Sequence, residues 1–411
     1  MNILVIGGGA AGLMAAGTAA ENGARVTLLE TNEKVGRKLF ITGKGRCNVC
    51  NNCDIQTVLQ NVPVNPRFLY SALGGFSPED AMAFFTSHGV PLKTERGNRV
   101  FPVSDKAADI IDALFTWIKR VGVIIKHTAA ERLVIEGVRL AGVQAGGALY
   151  PADRVIVATG GVSYPQTGST GDGYRFAKQA GHTVVPPNPS LVPLVTPGGC
   201  EELMGLSLRN VQVTVFEDSR RIWSEFGEML FTHFGISGPL GLSASSYIGK
   251  ALEQQPLKGY LNLKPALTEE QLDARILREF EENRNKQFRN VINSLFPAKL
   301  LPVMLSLGGI DPYKQVNAVS KAERQHFEEL ITHFPFTVTG TRGFREAIIT
   351  QGGVSVKEIR PGTMEAKKKE GLYFVGEVLD LDALTGGFNL QIAWASAHAA
   401  AEEIRAKEEQ E

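Results

Sequence analysis

The sequence predicts an α/β fold in which one nucleotide-binding domain is assembled from both ends of the chain around an insertion. Three observations lead there. A buried strand, a glycine-rich turn and a small-residue helix open the chain, a second buried strand followed by a helix closes it, and the texture between them changes at Pro186-Pro187-Asn188-Pro189. Length agrees, since 411 residues exceed what one hydrophobic core usually holds, and two or three domains are expected.

The opening elements are the most legible. Ile3-Leu4-Val5-Ile6 is a continuous apolar run, as expected of a parallel strand covered on both faces. Gly7-Gly8-Gly9-Ala10-Ala11-Gly12 follows, then alanine-rich sequence with strong helix propensity up to the stop signal Asn22-Gly23. Arg25-Val26-Thr27-Leu28-Leu29-Glu30 reads as the second strand, and short connections favour a parallel pair with a right-handed crossover. Residues 35–54 read as a loop rich in Gly, Arg, Lys and Asn, while 78–89 and 107–122 read as helices. In the second of these, Ile110, Ile111, Leu114, Phe115 and Ile118 make one apolar face. Short strands are expected at 121–126, 132–136 and 140–145, and a buried one at Arg154-Val155-Ile156-Val157-Ala158. Beyond 190 the chain turns strand-like to about 258, helical over about 267–330, and strand-like again over 335–349. Gly371-Leu372-Tyr373-Phe374-Val375-Gly376 is a last buried strand, a helix follows from Leu390, and the charged tail after Glu402 reads as a frayed end.

Chemistry concentrates at the opening turn. Gly7-x-Gly9-x-x-Gly12 stands between strand and helix, where the first glycine permits the turn, the second lets backbone approach a pyrophosphate, and the third lets helix and strand touch. The helix N-terminus then offers unpaired N–H groups and partial positive charge. Glu30 ends the second strand, at the place of a carboxylate that accepts from both ribose hydroxyls. Methyltransferases using S-adenosylmethionine share these features, so two distant segments decide the ligand class. Val157-Ala158-Thr159-Gly160 ends a strand in a turn that lies beside the dinucleotide in many flavoproteins. Gly376-Glu377 ends another, where flavoproteins of this fold carry Asp to hold a ribityl hydroxyl, and the helix beyond Asn389 would face the flavin edge that gains negative charge. The fold expected is therefore α/β: a discontinuous Rossmann-type FAD-binding domain over 1–190 and 350–411, an inserted β-rich substrate domain over 191–258 and 331–349, and a small helical domain over 259–330. Arg37, Lys38, Lys44 and Arg46 would neutralise the pyrophosphate.

Gly36-Arg37-Lys38-Leu39-Phe40-Ile41-Thr42-Gly43-Lys44-Gly45-Arg46-Cys47-Asn48 resembles a signature of a group of bacterial flavoproteins. That group includes aminoacetone oxidase-like enzymes and the flavin-dependent reductase of bile-acid dehydroxylation. Leu230-Phe231-Thr232-His233-Phe234-Gly235-Ile236-Ser237-Gly238-Pro239, Thr350-Gln351-Gly352-Gly353-Val354 and residues 385–391 look like further signatures, and the resemblance spans the chain. It implies tightly held FAD contacted by Ala11, Glu30, Arg37, Lys38, Gly43, Lys44, Glu377 and Asn389, with Ala129 as an adenine-side backbone contact.

Cys47-x-x-Cys50-x-x-Cys53 leaves three readings open: a metal site with Cys200, a redox pair of Cys47 and Cys50, or free thiols beside the flavin. In the resembling family only the first cysteine belongs to the signature. His233 is the candidate general acid, set against a structural histidine, and Cys47 is the second catalytic candidate. No metal is expected. The whole points to an FAD-dependent oxidoreductase exchanging hydride with a small organic substrate, with NAD(P)H or oxygen as electron partner. A thiol–disulfide reductase and a flavin-binding interaction module are the alternatives. Lys+Arg and Asp+Glu are equal at 43 each, so no whole-molecule field favours nucleic acid or an anionic membrane as partner. Met1 leads directly into a strand, no apolar run is long enough to span a bilayer, and four cysteines make no disulfide scaffold, which together suggest a cytoplasmic setting.

Overall fold

The computed structural model describes residues 1–198 and 200–408, and the chain divides into two compact units, Met1–Ser190 with Phe344–Glu411 and, between them, Leu191–Gly343. The first unit is built on a five-stranded sheet in the order Leu372–Phe374, Arg154–Val157, Asn2–Ile6, Arg25–Glu30, Ile124–His127. All four ladders are parallel. Apolar runs such as Leu4-Val5-Ile6 suit that arrangement because parallel strands are buried on both faces, and here they are. Helix Ala10–Glu21 packs along the closing helix Phe388–Glu408, so the two ends of the chain meet in one core. The tail expected to fray after Glu402 stays helical through Glu408, and 409–411 lie outside the described residues.

Two small antiparallel sheets flank this frame. Ala130–Glu136, Arg139–Ala145 and Ala148–Pro151 form one, while Cys50–Asn51 and Leu92–Glu95 pair on either side of Arg99–Pro102 in the other. Val184–Ser190 pairs with Ile349–Val354, although it holds three prolines. The ladder shifts register between Val185 and Asn188, around Pro186 and Pro187, as expected where proline enters a strand.

The second unit has an antiparallel seven-stranded sheet, in the order Phe334–Val338, Leu257–Asn262, Ser207–Glu217, Arg220–Thr232, Gly235–Ser237, Leu194–Val195, Gly340–Thr341. Its helices include Gly238–Leu252, Glu269–Glu282, Leu301–Leu307 and Lys321–Thr332. Thr268 and Ser320 close capping boxes at two of them, which fixes where those helices start. Strand and helix residues share one hydrophobic cluster, from Val213 and Leu261 to Ile276 and Phe327. Among the described residues no helix is long and apolar enough to cross a membrane.

Candidate functional site

The site grows from the first turn. Gly12 stands so close to the strand end that a Cβ there would lie 1.8 Å from the Gly7 carbonyl oxygen, whereas a Cβ on Gly9 would meet nothing within 4 Å. Helix Ala10–Glu21 has no side-chain cap, leaving first-turn N–H groups pointed at open space, the physical form of an anion site. Ala11 is buried at the joint with the C-terminal segment, since a Cβ on Gly376 would meet its methyl at 2.8 Å. Thr159 and Gly160 border the same turn: the Gly7 backbone abuts Ala158 and Thr159, and the Thr159 hydroxyl is buried without a partner.

Glu30 is buried and oriented from two sides. Its Oε2 accepts from the Gly8 amide at 2.7 Å, and its Oε1 accepts from the backbone and side-chain amides of Asn32, each at 2.7 Å. A carboxylate retains further lone pairs for hydroxyl donors. Asn32 also donates to Thr167 O and accepts from Arg37 Nη1 at 2.6 Å. Across the sheet, Glu30 is the register partner of His127, and exposed Ala129 lies two residues beyond on the same sheet end.

Lys38 and Glu377, 339 positions apart, are joined at 2.6 Å. Ser163 bridges them, accepting from Lys38 Nζ at 2.5 Å and donating to Glu377 Oε1 at 2.7 Å. The Thr350 amide donates to the same Oε1, and the Thr350 hydroxyl accepts from the amides of Val162 and Ser163. Ser163 and Thr350 were not singled out from sequence, though Thr350 opens the Thr-Gln-Gly-Gly signature. Asn48, another missed residue, has a buried Oδ1 with no partner.

Other sequence candidates are placed differently. Gly43 and Lys44 are consecutive left-handed residues, φ 57° and 59°, in an exposed loop, and the Lys44 ammonium has no partner among the described residues. Arg46 is engaged within the protein, donating to Glu95 and Asp105 while its guanidinium stacks 4.1 Å from the Phe101 ring centre. The carboxylates hold its pKa above the ordinary value, and Arg46 and Lys93 hold Glu95 and Asp105 below theirs. Asn389 clasps its own loop: its Oδ1 accepts from Ala383 N at 2.8 Å and its Nδ2 donates to Ala383 O at 2.7 Å. Its side-chain bonds are made there.

Cys47 and Cys50 are fully buried and Cys53 is partly buried. Burial pushes the thiols of Cys47 and Cys50 up to about 12 and that of Cys53 to about 11. Among the described residues no group of three or more His, Cys, Asp or Glu side chains could hold a metal ion. His233 belongs to the other unit, in the turn between Arg220–Thr232 and Gly235–Ser237, exposed and packed edge-on against Phe234. Its exposure does not suit a structural histidine of the core.

The open space over Gly9, the uncapped helix and the doubly anchored Glu30 fit a dinucleotide. The family described as HI0933-like protein Rossmann domain matches residues 1–403. A 3-dehydro-bile acid delta(4,6)-reductase of Clostridium scindens is 32% identical over 96% of this chain and 97% of its own length. A ribosomal RNA dihydrouridine synthase of Haemophilus influenzae is 33% identical over 97% of each. Among solved structures, 3-ketosteroid delta1-dehydrogenase from Sterolibacterium denitrificans superposes with a TM-score of 0.53 at 14% identity, covering 98% of this chain and 99% of that one. This last likeness is one of fold.

Proposed function

The chain belongs to the HI0933-like Rossmann-domain family and is an FAD-dependent oxidoreductase, and from that premise we propose that it saturates a carbon–carbon double bond conjugated to a carbonyl. One observation carries the reading. Two relatives match at nearly equal identity over nearly the whole chain, yet a bile acid and an RNA have no shape in common. What their named reactions share is chemistry: a 3-oxo steroid alkene and a uracil ring each present a C=C polarised by a neighbouring C=O. Hydride adds to the carbon remote from the carbonyl and a proton to the nearer one.

Bound FAD supplies the two-electron, hydride-transfer chemistry. Gly7, Gly9, Gly12 and the helix they open are assigned to its pyrophosphate, with Arg37 and Lys44 as counter-charges. Glu30 is assigned to the adenosine ribose, and the backbone around Ala129 to the adenine. Lys38, Gly43, Thr159, Gly160 and Glu377 are assigned to the flavin half, held in place through Ser163 and Thr350. Asn389 orders the loop before the closing helix. Arg46 braces the hairpin at 92–102. Residues 1–190 and 344–411 are thus the cofactor part, and 191–343 carries the substrate-side role, with exposed His233 our candidate proton donor. Thiols pushed up to about 12 suit a packed loop better than thiol–disulfide exchange, which needs thiolate.

A neutral net charge supplies no electrostatic footprint for RNA, so the small-molecule enone is the preferred substrate; saturating its double bond consumes two electrons, for which NAD(P)H is the reductant to test. Anaerobic stopped-flow tests this directly. Protein whose flavin has been bleached by NADPH should regain its yellow absorbance on mixing with a 3-oxo-Δ4 steroid, and should not on mixing with uridine-containing ribosomal RNA. Recovery with RNA alone reverses the substrate assignment, and recovery with neither removes the proposed chemistry.

A further inference from the structure

We propose that the Leu191–Gly343 unit contains a binding site of its own for a neutral, apolar ring-system ligand. Every residue lining the site belongs to that unit, so the proposal does not depend on where the flavin lies. The cavity has a volume of about 450 Å³, within the range of roughly 300–1,000 Å³ typical of small-molecule pockets. Its wall is built from the sheet edge formed by Leu257–Asn262 and Phe334–Val338, from Phe231 and Leu203, and from Val303 and Leu307 on helix Leu301–Leu307.

Two features mark this as a shaped site and not a packing defect. The Phe336 ring reaches over the neighbouring strand, possible only because Gly259 faces it: a Cβ there would meet three ring atoms at 2.2–2.8 Å. A residue with no side chain has been set opposite an aromatic ring, and both line the cavity. Leu307 in turn stays 45% exposed although it lines the concavity. An apolar side chain kept at the mouth of an apolar hollow gains free energy only when something apolar covers it.

The lining also states the ligand's charge. Lys258 is the one Lys, Arg, His, Asp or Glu among the lining residues, and Tyr260 and Cys200 are the other ionisable side chains there. Lys258 is exposed, whereas Leu257, Gly259 and Leu261 form the buried face of its strand, so its ammonium stays in water while its stem borders the cavity. No counter-charge is therefore offered, and an anionic or cationic ligand would be desolvated without compensation. Cys200 does not alter this, since burial pushes its thiol up from the ordinary value and keeps it neutral. The remaining polar side chains are those of Tyr260 and Thr337, and the Thr196 hydroxyl paired with the Cys200 sulfur at 2.9 Å. Either member of that pair can turn a proton toward a carbonyl or hydroxyl oxygen on the ligand. Largely apolar, uncharged and bearing oxygen describes a neutral steroid-like ring system, which the substrate itself or a separate effector could provide.

The experiment uses the full-length, FAD-loaded protein and 4-androstene-3,17-dione as probe, with binding read by calorimetry and not by turnover. Wild type should bind it saturably. Leu307→Arg, a substitution at an already exposed position, should weaken binding at least about tenfold by placing a charge at the mouth. Thr196→Val should weaken it about threefold to tenfold through loss of one hydrogen bond. Flavin content and absorbance serve as the check that both variants fold. If KM for an enone substrate rises in step with the loss of binding, the occupant is the substrate; if KM holds, it is an effector, and the pocket stands either way. Failure of wild type to bind, or equal binding by both variants, overturns the proposal. Binding without enone reduction keeps the pocket and sinks the proposed chemistry instead, so the two failures are distinct.

Discussion

The first unit contains two glycine turns, one after strand Asn2–Ile6 and one before the closing helix, and they use glycine for opposite ends. At the first, Gly12 brings helix against strand, while the space a Gly9 side chain would occupy is empty. At the second, Gly387 presses on protein: a Cβ there would lie 2.4 Å from the carbonyl carbon and oxygen of Cys50. Asn51 donates to the carbonyl of Gly386 at 3.0 Å, and Asn389 closes the loop onto Ala383. The opening turn is a cradle and the closing turn is a clasp. Glycine thus marks close approach in both places, and only the surroundings tell whether a ligand or the chain itself is what approaches.

The largest expected effect separates these two uses inside the first turn. Gly12→Ala forces a methyl into the Gly7 carbonyl, so helix and strand must part, at a cost of about 3 kcal/mol or more. Both thermal midpoint and FAD content should collapse. Gly9→Ala meets no protein atom within 4 Å and sits at φ −83° in extended backbone. Its midpoint without FAD should stay within about 0.5 kcal/mol of wild type, while FAD affinity falls at least about tenfold. Equal loss of stability in both variants would show that the space over Gly9 belongs to the fold and not to the cofactor.

Next in size is the clasp. Gly387 has φ +98°, and Gly387→Ala combines that strain with the clash on Cys50, together about 2–4 kcal/mol. Asn389→Ala removes two bonds to Ala383 and should cost about 1–3 kcal/mol. Chemical denaturation of FAD-free protein reads both. Should either variant lose FAD while keeping full apoprotein stability, the closing turn is a cofactor cradle like the opening one.

How much of this was legible in the sequence follows from the same contrast. The opening strand, turn and helix, Glu30, and the far strand at 372–374 could be read because each depends on neighbours within a few residues. Lys38 in its basic loop and Glu377 at its strand end were singled out locally, and again by the family resemblance, now supported over residues 1–403. Neither reading disclosed that they bond to each other, directly and through Ser163, because nothing local links positions 339 apart. Arg46 illustrates the limit most clearly. A basic residue in a basic loop reads as a phosphate ligand, and only the folded hairpin shows Glu95, Asp105 and Phe101 around it. The strand containing Pro186 and Pro187 escaped for a related reason: proline signals a break locally, and the register shift that accommodates it appears only with its partner strand.

A smaller effect is expected from Arg46. Arg46→Ala should leave FAD content unchanged and lower stability slightly, with the difference shrinking in high salt because the network is at the surface. The pH dependence has a definite direction. Glu95 and Asp105 are held below their ordinary values, so their contribution is complete above the ordinary carboxylate range and is lost as pH falls through the lowered values. Arg46, held above its ordinary value, stays charged throughout. Wild type and variant should therefore converge in stability in acid and differ most near neutrality. Loss of FAD from the variant would return Arg46 to the cofactor.

The smallest effect concerns the thiols beneath the clasp, and it probes whether the clasp stays shut. Cys50 lies directly under Gly387 and is raised to about 12, chiefly by burial and then by Cys53 and Cys47. Burial likewise raises Cys47 to about 12, against a lowering hydrogen bond from Thr42, while half-open Cys53 reaches about 11 through burial and Asp54. Alkylation requires thiolate and access together. At pH 8, iodoacetamide should therefore label Cys53 slowly, and Cys47 and Cys50 only as fast as the loop opens, an order read by peptide mass spectrometry. Labelling should slow further when FAD is bound, since anything that binds the folded state suppresses opening. If Cys47 or Cys50 reacts ahead of Cys53, the loop under Gly387 is open in the native protein, and a redox role for that pair becomes the better explanation of why three cysteines stand there.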